Sequence, residues 1–359
     1  MNTAKFPELG CYLLPGHSQT PRDLIAEVQA AERLGFGSAW LSERFDVKEA
    51  GVCIGAAAAV TESIYIGTAA TNINTRHIMG SAALACSANR LSEGRFALGV
   101  SRGVGIRQDL WGLDKVNNRQ LQEFVQIMKA LCRGERVMGH DGKLGHFPYL
   151  HTSDFLDEDI PMLFVGFGAK SIAFAAQHFD GIVLHTFMTD QAVAKAKAII
   201  AKSAEAADRD SSAVKVWAVM AAAINPSRET YLQQIVARMA TYLQAPGYAE
   251  LLLAANDWDL EPLDAFRNDP IVKAIPGGID SVASIEQIAH IESLIPPHWL
   301  PAAIGSPDQA AQKLANQLAA GADGVILHAS TAQELEPLLD AYAKIRDHKR
   351  FEHALNRPA

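Results

Sequence analysis

The sequence predicts an α/β fold, a (β/α)8 TIM barrel with insertions after strands 4 and 7. Two observations predict it. Short apolar, β-branched runs alternate eight times with longer amphipathic segments along 359 residues, the pattern of a closed parallel sheet wrapped by helices. Two stretches, 134–160 and 246–304, break that alternation and are too long for plain connections. Such barrels run past 250 residues as one unit, so residues 1–359 read as a single domain.

The first strand is expected over residues 9–14 (LGCYLL). Thr20 and Pro21 then open a helix as N-cap and first position, and Leu24, Ile25, Val28, Ala31 and Leu34 recur at helical spacing until Gly35 stops it. Residues 38–42 (SAWLS) are the second strand, followed by a loop over 43–50 and an alanine-rich helix to Thr61. Residues 64–70 form the third strand, 76–89 a helix, and 95–100 the fourth strand. The next helix spans 118–132, with Leu121, Phe124, Val125, Met128 and Leu131 on one face. Strands five to eight fall at 162–165, 181–184, 214–223 and 324–328. Helices are expected at 170–178, 191–206, 229–244, 307–320 and 331–347. The 246–304 insertion brings Trp258 and Trp299, which are either covers for the site or ordinary packing.

Composition narrows the function. With 32 basic and 40 acidic residues the net charge is −8, and no basic block offers a nucleic-acid backbone a binding face. No apolar run reaches the length that spans a bilayer, and the first seven residues hold no leader-like apolar core, so a cytoplasmic protein is expected. Cys11, Cys53, Cys86 and Cys132 lie too far apart for metal-ligand spacing and read as reduced thiols. No paired-histidine motif points to a metal, and no G-x-S-x-G elbow to a serine hydrolase.

In such a barrel, chemistry gathers where strands run out into their following loops. The strand-five turn is the most readable. Gly166 and Gly168 let backbone approach a ligand, and the helix that follows offers free N–H groups and a positive dipole end to a phosphate. Lys170 and Ser171 add a charge and a hydroxyl; the alternative reading is a Gly-x-Gly that only shapes a turn. The segment nearly matches G-x-G-x-x-G, but no acid stands at the end of the next strand, which argues against a Rossmann dinucleotide site. Other strand ends supply Ser42, Glu43 and Arg44, then Ala70, Thr71 and Asn72 with Arg76 and His77 beyond, then Ser101 and Arg102, and finally His185 and His328.

Four segments resemble the luciferase-like monooxygenase superfamily, which includes deazaflavin-dependent oxidoreductases. They are AAERLGFGSAWLSERF (30–45), TAATNINTRHIM (68–79), RLSEGRFALGVSRG (90–103) and GSPDQAAQKLANQLAAGADGVIL (305–327). SERFDVKEAG (42–51) is similar to a subgroup of coenzyme F420-dependent oxidoreductases. The resemblance implies coenzyme F420, with FMN as the alternative, lying over the strand ends. Its contacts would be Ser42, Ala70, Thr71, Asn72, Ser101, Arg102, Gly166, Phe167, Gly168 and Ser171, with the phosphate at the strand-five turn. It also implies a non-proline cis peptide near Ala70-Thr71-Asn72, a small-molecule substrate, and a homodimer formed through the early helices.

One departure matters. Many members carry a histidine after strand two, where this chain has Glu43-Arg44. A guanidinium cannot shuttle a proton at neutral pH but is suited to an anionic substrate or to polarising a carbonyl. Glu43 is then the orienting group or acid/base, and His77 and His185 are the imidazoles that stand in for the missing one. The expected activity is hydride transfer between a deazaflavin and a small organic substrate. Its alternatives are a reduced-FMN monooxygenase and a non-catalytic flavin- or deazaflavin-binding protein.

Overall fold

A computed structural model of the chain describes residues 4–354 and 356–359, and in it the eight strands close into a parallel ring. Residues 1–3, part of the opening stretch expected to hold no leader-like apolar core, lie outside the described residues. The strands are β1 (Phe6–Tyr12), β2 (Phe36–Leu41), β3 (Tyr65–Thr68), β4 (Phe96–Ser101), β5 (Met162–Val165), β6 (Gly181–Val183), β7 (Lys215–Ile224) and β8 (Gly324–His328). Each pairs in parallel with the next, and Leu9 of β1 sits opposite Val325 of β8 to complete the barrel. β1 and β2 are buried at every position and so show no polar alternation, and the charged residue among them, Glu8, is paired with Tyr342 and Arg346.

The barrel interior is filled by aromatic residues, and glycine makes the space for them. Trp40 and Trp217 meet across it with ring centroids 5.8 Å apart. A Cβ on Gly67 would lie 2.5 Å from the Trp40 ring, and one on Gly324 would lie 2.4 Å from the Trp217 ring. Tyr12, Tyr65, Leu163, Val183 and Ile326 complete this inner core. At the N-terminal end, the Trp217 indole N–H donates to the Pro358 carbonyl at 2.9 Å, so the last residues of the chain close the barrel floor.

The outer helices are α1 (Leu24–Leu34), α2 (Ala50–Ala59), α3 (Ile78–Leu91), α4 (Asn118–Cys132), α5 (Ala169–His178) and α6 (Asp190–Glu205). α7 covers 228–244 and contains a π-helical turn, Leu232–Val236, between its two α-helical parts. α8 (Tyr248–Asn256), α9 (Pro307–Ala319) and α10 (Glu336–Ile345) follow. The Thr20 hydroxyl accepts the Arg22 N–H ahead of a short 3-10 turn, Pro21–Asp23, and Gly35 ends α1 at φ 87°. Capping boxes start α4 at Asn117 and α9 at Ser306.

Several elements differ from expectation. The 134–160 excursion holds an antiparallel hairpin, Val137–Asp141 with His146–Leu150, whose mostly exposed residues carry no apolar alternation. A short helix, Gly105–Leu110, follows β4, and α10 begins at Glu336 rather than Thr331. The 246–304 insertion is largely helical and ends in a strand, Ala303–Gly305, paired with β7. Trp299 is buried with Trp258 stacked on it at 5.6 Å; both pack against the core around the insertion rather than roofing the site. All four cysteines are buried and unpaired. Among the described residues no helix is long and apolar enough to cross a membrane, and no group of His, Cys, Asp and Glu could hold a metal ion.

Candidate functional site

The strand-five turn delivers Gly166, Phe167 and Gly168 straight into α5. Gly168 has φ 90°, a conformation side chains resist, and serves as the N-cap. First-turn N–H groups have no intrahelical acceptor, so this end of α5 presents donors and positive potential. Arg102 comes to the same place from the end of β4. Its Nη1 donates to the Ser171 hydroxyl at 2.9 Å, its Nη2 donates to Asn118, and its guanidinium stands 5.7 Å from the Phe164 ring centre. The Arg102 Nε is buried without a partner, and burial lowers its pKa. A desolvated guanidinium beside a hydroxyl and a helix start suits a phosphate group.

The turns after β2, β3 and β4 are stitched together beside it. The peptide bond Ala69–Ala70 is cis, one bond before the expected triplet, and the Ala70 carbonyl accepts the Glu43 N–H at 3.1 Å. The Tyr12 hydroxyl donates to the Ala69 carbonyl at 2.9 Å. Ser101 donates to the Asn72 side-chain oxygen at 2.9 Å. Ser42 follows β2 directly, next to Glu43.

Glu43 is held on both carboxylate oxygens. Arg76 donates to each, the Thr71 hydroxyl donates at 2.6 Å, and the Ala50 N–H donates at 3.1 Å. The carboxylate is almost completely buried in this ion pair. It therefore anchors the β2 exit to Arg76, and the acid/base role expected of it does not fit that engagement. His77 is an exposed N-cap of α3, accepting the Met79 N–H through Nδ1 at 3.2 Å, with Phe147 of the hairpin edge-on at 5.6 Å. It is placed as a capping residue at the rim rather than as a stand-in imidazole.

His185 occupies a different setting. Its ring packs against Phe167 at 4.6 Å, Tyr242 at 4.6 Å and Tyr248 at 5.2 Å. Its Nδ1 is buried without a partner, and burial, with help from Arg238, pushes its pKa down to about 4. His328, at the end of β8, lies edge-on to Tyr12 at 4.9 Å. Burial and the nearby Arg238, Arg44 and Lys48 hold it well below the usual imidazole range, again with an unpartnered Nδ1. Two neutral imidazoles thus stand in the barrel mouth.

Arg238, Tyr242 and Tyr248 cover the mouth from α7 and α8, and sequence reasoning did not find them. They sit inside helices with no local motif. The only available signal was the aromatic pair in TYLQAPGY, residues 241–248.

The comparisons agree with this architecture. The family model described as luciferase-like monooxygenase matches residues 8–324. A 5,10-methylenetetrahydromethanopterin reductase from Methanolobus tindarius is 26% identical over 203 residues, 55% of this chain and 61% of that one. An F420-dependent glucose-6-phosphate dehydrogenase from Beutenbergia cavernae is 29% identical over 176 residues, 45% of this chain and 52% of that one. The chain therefore spans between half and two thirds of the length of these curated relatives. A solved coenzyme F420-dependent tetrahydromethanopterin reductase from Methanopyrus kandleri shares the fold, with TM-score 0.77 and 18% identity over 96% of this chain and 99% of that one. With a family match over most of its length and the barrel to go with it, the chain belongs to the luciferase-like monooxygenase family.

Proposed function

We propose that the chain is an oxidoreductase that binds coenzyme F420 over its strand ends and supports hydride transfer to or from a small organic substrate. The observation that carries this reading is Arg102, an arginine with a buried, unpartnered Nε, set against Ser171 at the start of α5. The names of the relatives, two of them F420-dependent, support the same cofactor. When bound, the deazaflavin supplies a ring carbon that gives or takes hydride. Arg102, Ser171 and the α5 N–H groups bind the phosphate, and Gly166 and Gly168 allow its close approach. Ser42, Ala70, Thr71, Asn72, Ser101 and Phe167 form the proposed ring contacts. Arg76 and Glu43 fix the loops under the ring, Tyr242 and Tyr248 exclude water, and neutral His185 accepts or returns the proton at Nδ1. We further propose a cytoplasmic homodimer, packed through α2 and α3, with a small molecule as its substrate.

The test is direct titration of purified protein with coenzyme F420 and with FMN. The deazaflavin is expected to bind more tightly, and Arg102→Gln to weaken it by about 1.5–3 kcal/mol, roughly tenfold to a hundredfold. Tight binding of FMN alone, with oxygen-dependent turnover, would point to the reduced-FMN monooxygenase instead.

A further inference from the structure

Among the described residues, two cations beside the barrel mouth, Arg44 and Lys48, form no ion pair. Arg44, at the β2 exit, donates through Nη1 to His17 Nδ1 at 2.8 Å. A guanidinium only donates, so His17 must accept at Nδ1 and carry its proton on Nε2. That Nε2 faces Asp280 at 3.1 Å and Ser281 at 3.0 Å. Asp280 also receives Arg238 at 2.7 Å. The carboxylate of this cluster is therefore shared by Arg238 and His17, and Arg44 is left with a neutral partner.

Lys48 is buried, and its ammonium donates to the Leu14 and Gly16 carbonyls, the second at 2.9 Å. Among the described residues, neither Arg44 nor Lys48 has a carboxylate within ion-pair distance. Asp46 and Asp280 act on Arg44 only through space, and Asp46 and Glu27 so act on Lys48. The pKa values of both cations are lowered, first by burial, Lys48 to about 8. Placing charge in such a setting without a counter-charge is costly, and sites with that property are matched to an incoming anion. Arg44 joins His17, Asp280 and Arg238 in one cluster, and Arg238 lies one turn from Tyr242 on α7, which packs against His185 at 4.6 Å; the charges of Arg238, Arg44 and Lys48 also act on His328.

We propose that Arg44, reinforced by Lys48, is the subsite for an oxyanion group of the substrate, a carboxylate or a phosphate, which leaves the reacting carbon near His328 and His185. Its role as a substrate subsite rests on the oxidoreductase reading; the anion site itself does not. A planar guanidinium pairs with either oxyanion through two parallel N–H groups. The coenzyme phosphate seat at Arg102 and Ser171 is a separate place, reached from β4 and α5.

Calorimetry with inorganic phosphate and with acetate, on protein presaturated with coenzyme F420, tests this. At least one anion is expected to bind the wild type, and its identity says whether the substrate group is a phosphate or a carboxylate. Arg44→Gln is expected to weaken that binding about tenfold or more, and Arg44→Lys to keep part of it, with the F420 dissociation constant unchanged. Lys48→Gln supplies a second variant, with a loss of several-fold. Undiminished anion affinity in Arg44→Gln, or no anion binding to the wild type, overturns the proposal. The presaturation step reads the cofactor hypothesis separately. If F420 does not bind, the same anion titrations on the Arg102→Gln background still report on Arg44 alone.

Discussion

His185 is enclosed by Phe167, Tyr242 and Tyr248, and that enclosure ties stability to pH. Burial lowers its pKa to about 4, and His328 is held well below the ordinary value by the same cause and by nearby cations. In the unfolded chain both imidazoles titrate near 6.5. Between that pH and about 4 the unfolded chain binds more protons than the folded one, so stability falls as pH falls through this window. Above it both groups are neutral in either state and the contribution is fully retained. Asp280, whose pKa is depressed by His17 and Arg238 against its own burial, keeps its contribution above about pH 4 and loses it progressively as pH falls further, because there the unfolded carboxyl protonates first. Urea unfolding at pH 7 and pH 5 is expected to differ by about 2 kcal/mol on account of His185, with His328 adding in the same direction. His185→Gln should flatten that difference by its share. An identical slope in the variant would mean that the ring is not shielded as its aromatic neighbours imply.

Among the elements, β3 depends on an absent side chain. A methyl on Gly67 would press on the Trp40 ring at 2.5 Å, and that ring is fixed by its own hydrogen bond to Ser38 at 2.8 Å. Gly67→Ala is expected to cost about 1–3 kcal/mol by overpacking, read as a lower Tm. A Tm unchanged in Gly67→Ala would remove Trp40 from that position. The same elements show what the sequence could and could not disclose. β5 and β8 were read at their true bounds because apolar runs stand between clear turn signals. The hairpin at 137–150 escaped because neither strand buries a face. The Gly166-to-Ser171 turn announced itself locally, since glycines and a helix start are contiguous in sequence. The partner of Arg44 could not be anticipated: His17 meets it only through folding, from 27 residues before it, and is itself held by Asp280 of the distant insertion. Glu43 looked like a candidate acid for the same reason, because its engagement with Arg76 arises across 33 residues.

At the scale of the whole molecule, α2 presents a face that the barrel does not use. Its sequence AGVCIGAAAA is apolar or small all round, as in helices buried on more than one side. Ala50, Cys53, Ile54, Ala57 and Ala58 face the core, while Val52 is 71% exposed. The neighbouring α3 adds Gly80, where a Cβ would also meet nothing within 4 Å. Small residues let helix backbones approach closely, so this surface fits a second copy of the chain in the proposed homodimer. The dimer would also steady the site, because Glu49 caps α2 and joins Glu43 in holding Arg76, just before α3. Val52→Glu keeps the backbone N–H that Glu49 caps and places a carboxylate in the proposed interface. Sedimentation or light scattering should show the wild type dimeric and the variant dissociating at concentrations about tenfold higher or more, given the cost of burying an unpaired charge. The F420 affinity of the variant is expected to match the wild type, since Val52 lies on the outer face of α2, away from the phosphate seat at Arg102 and Ser171. A dimer that persists unchanged in Val52→Glu would move the interface to another face, and a monomeric wild type would end the homodimer proposal while leaving the cofactor titrations to stand or fall alone.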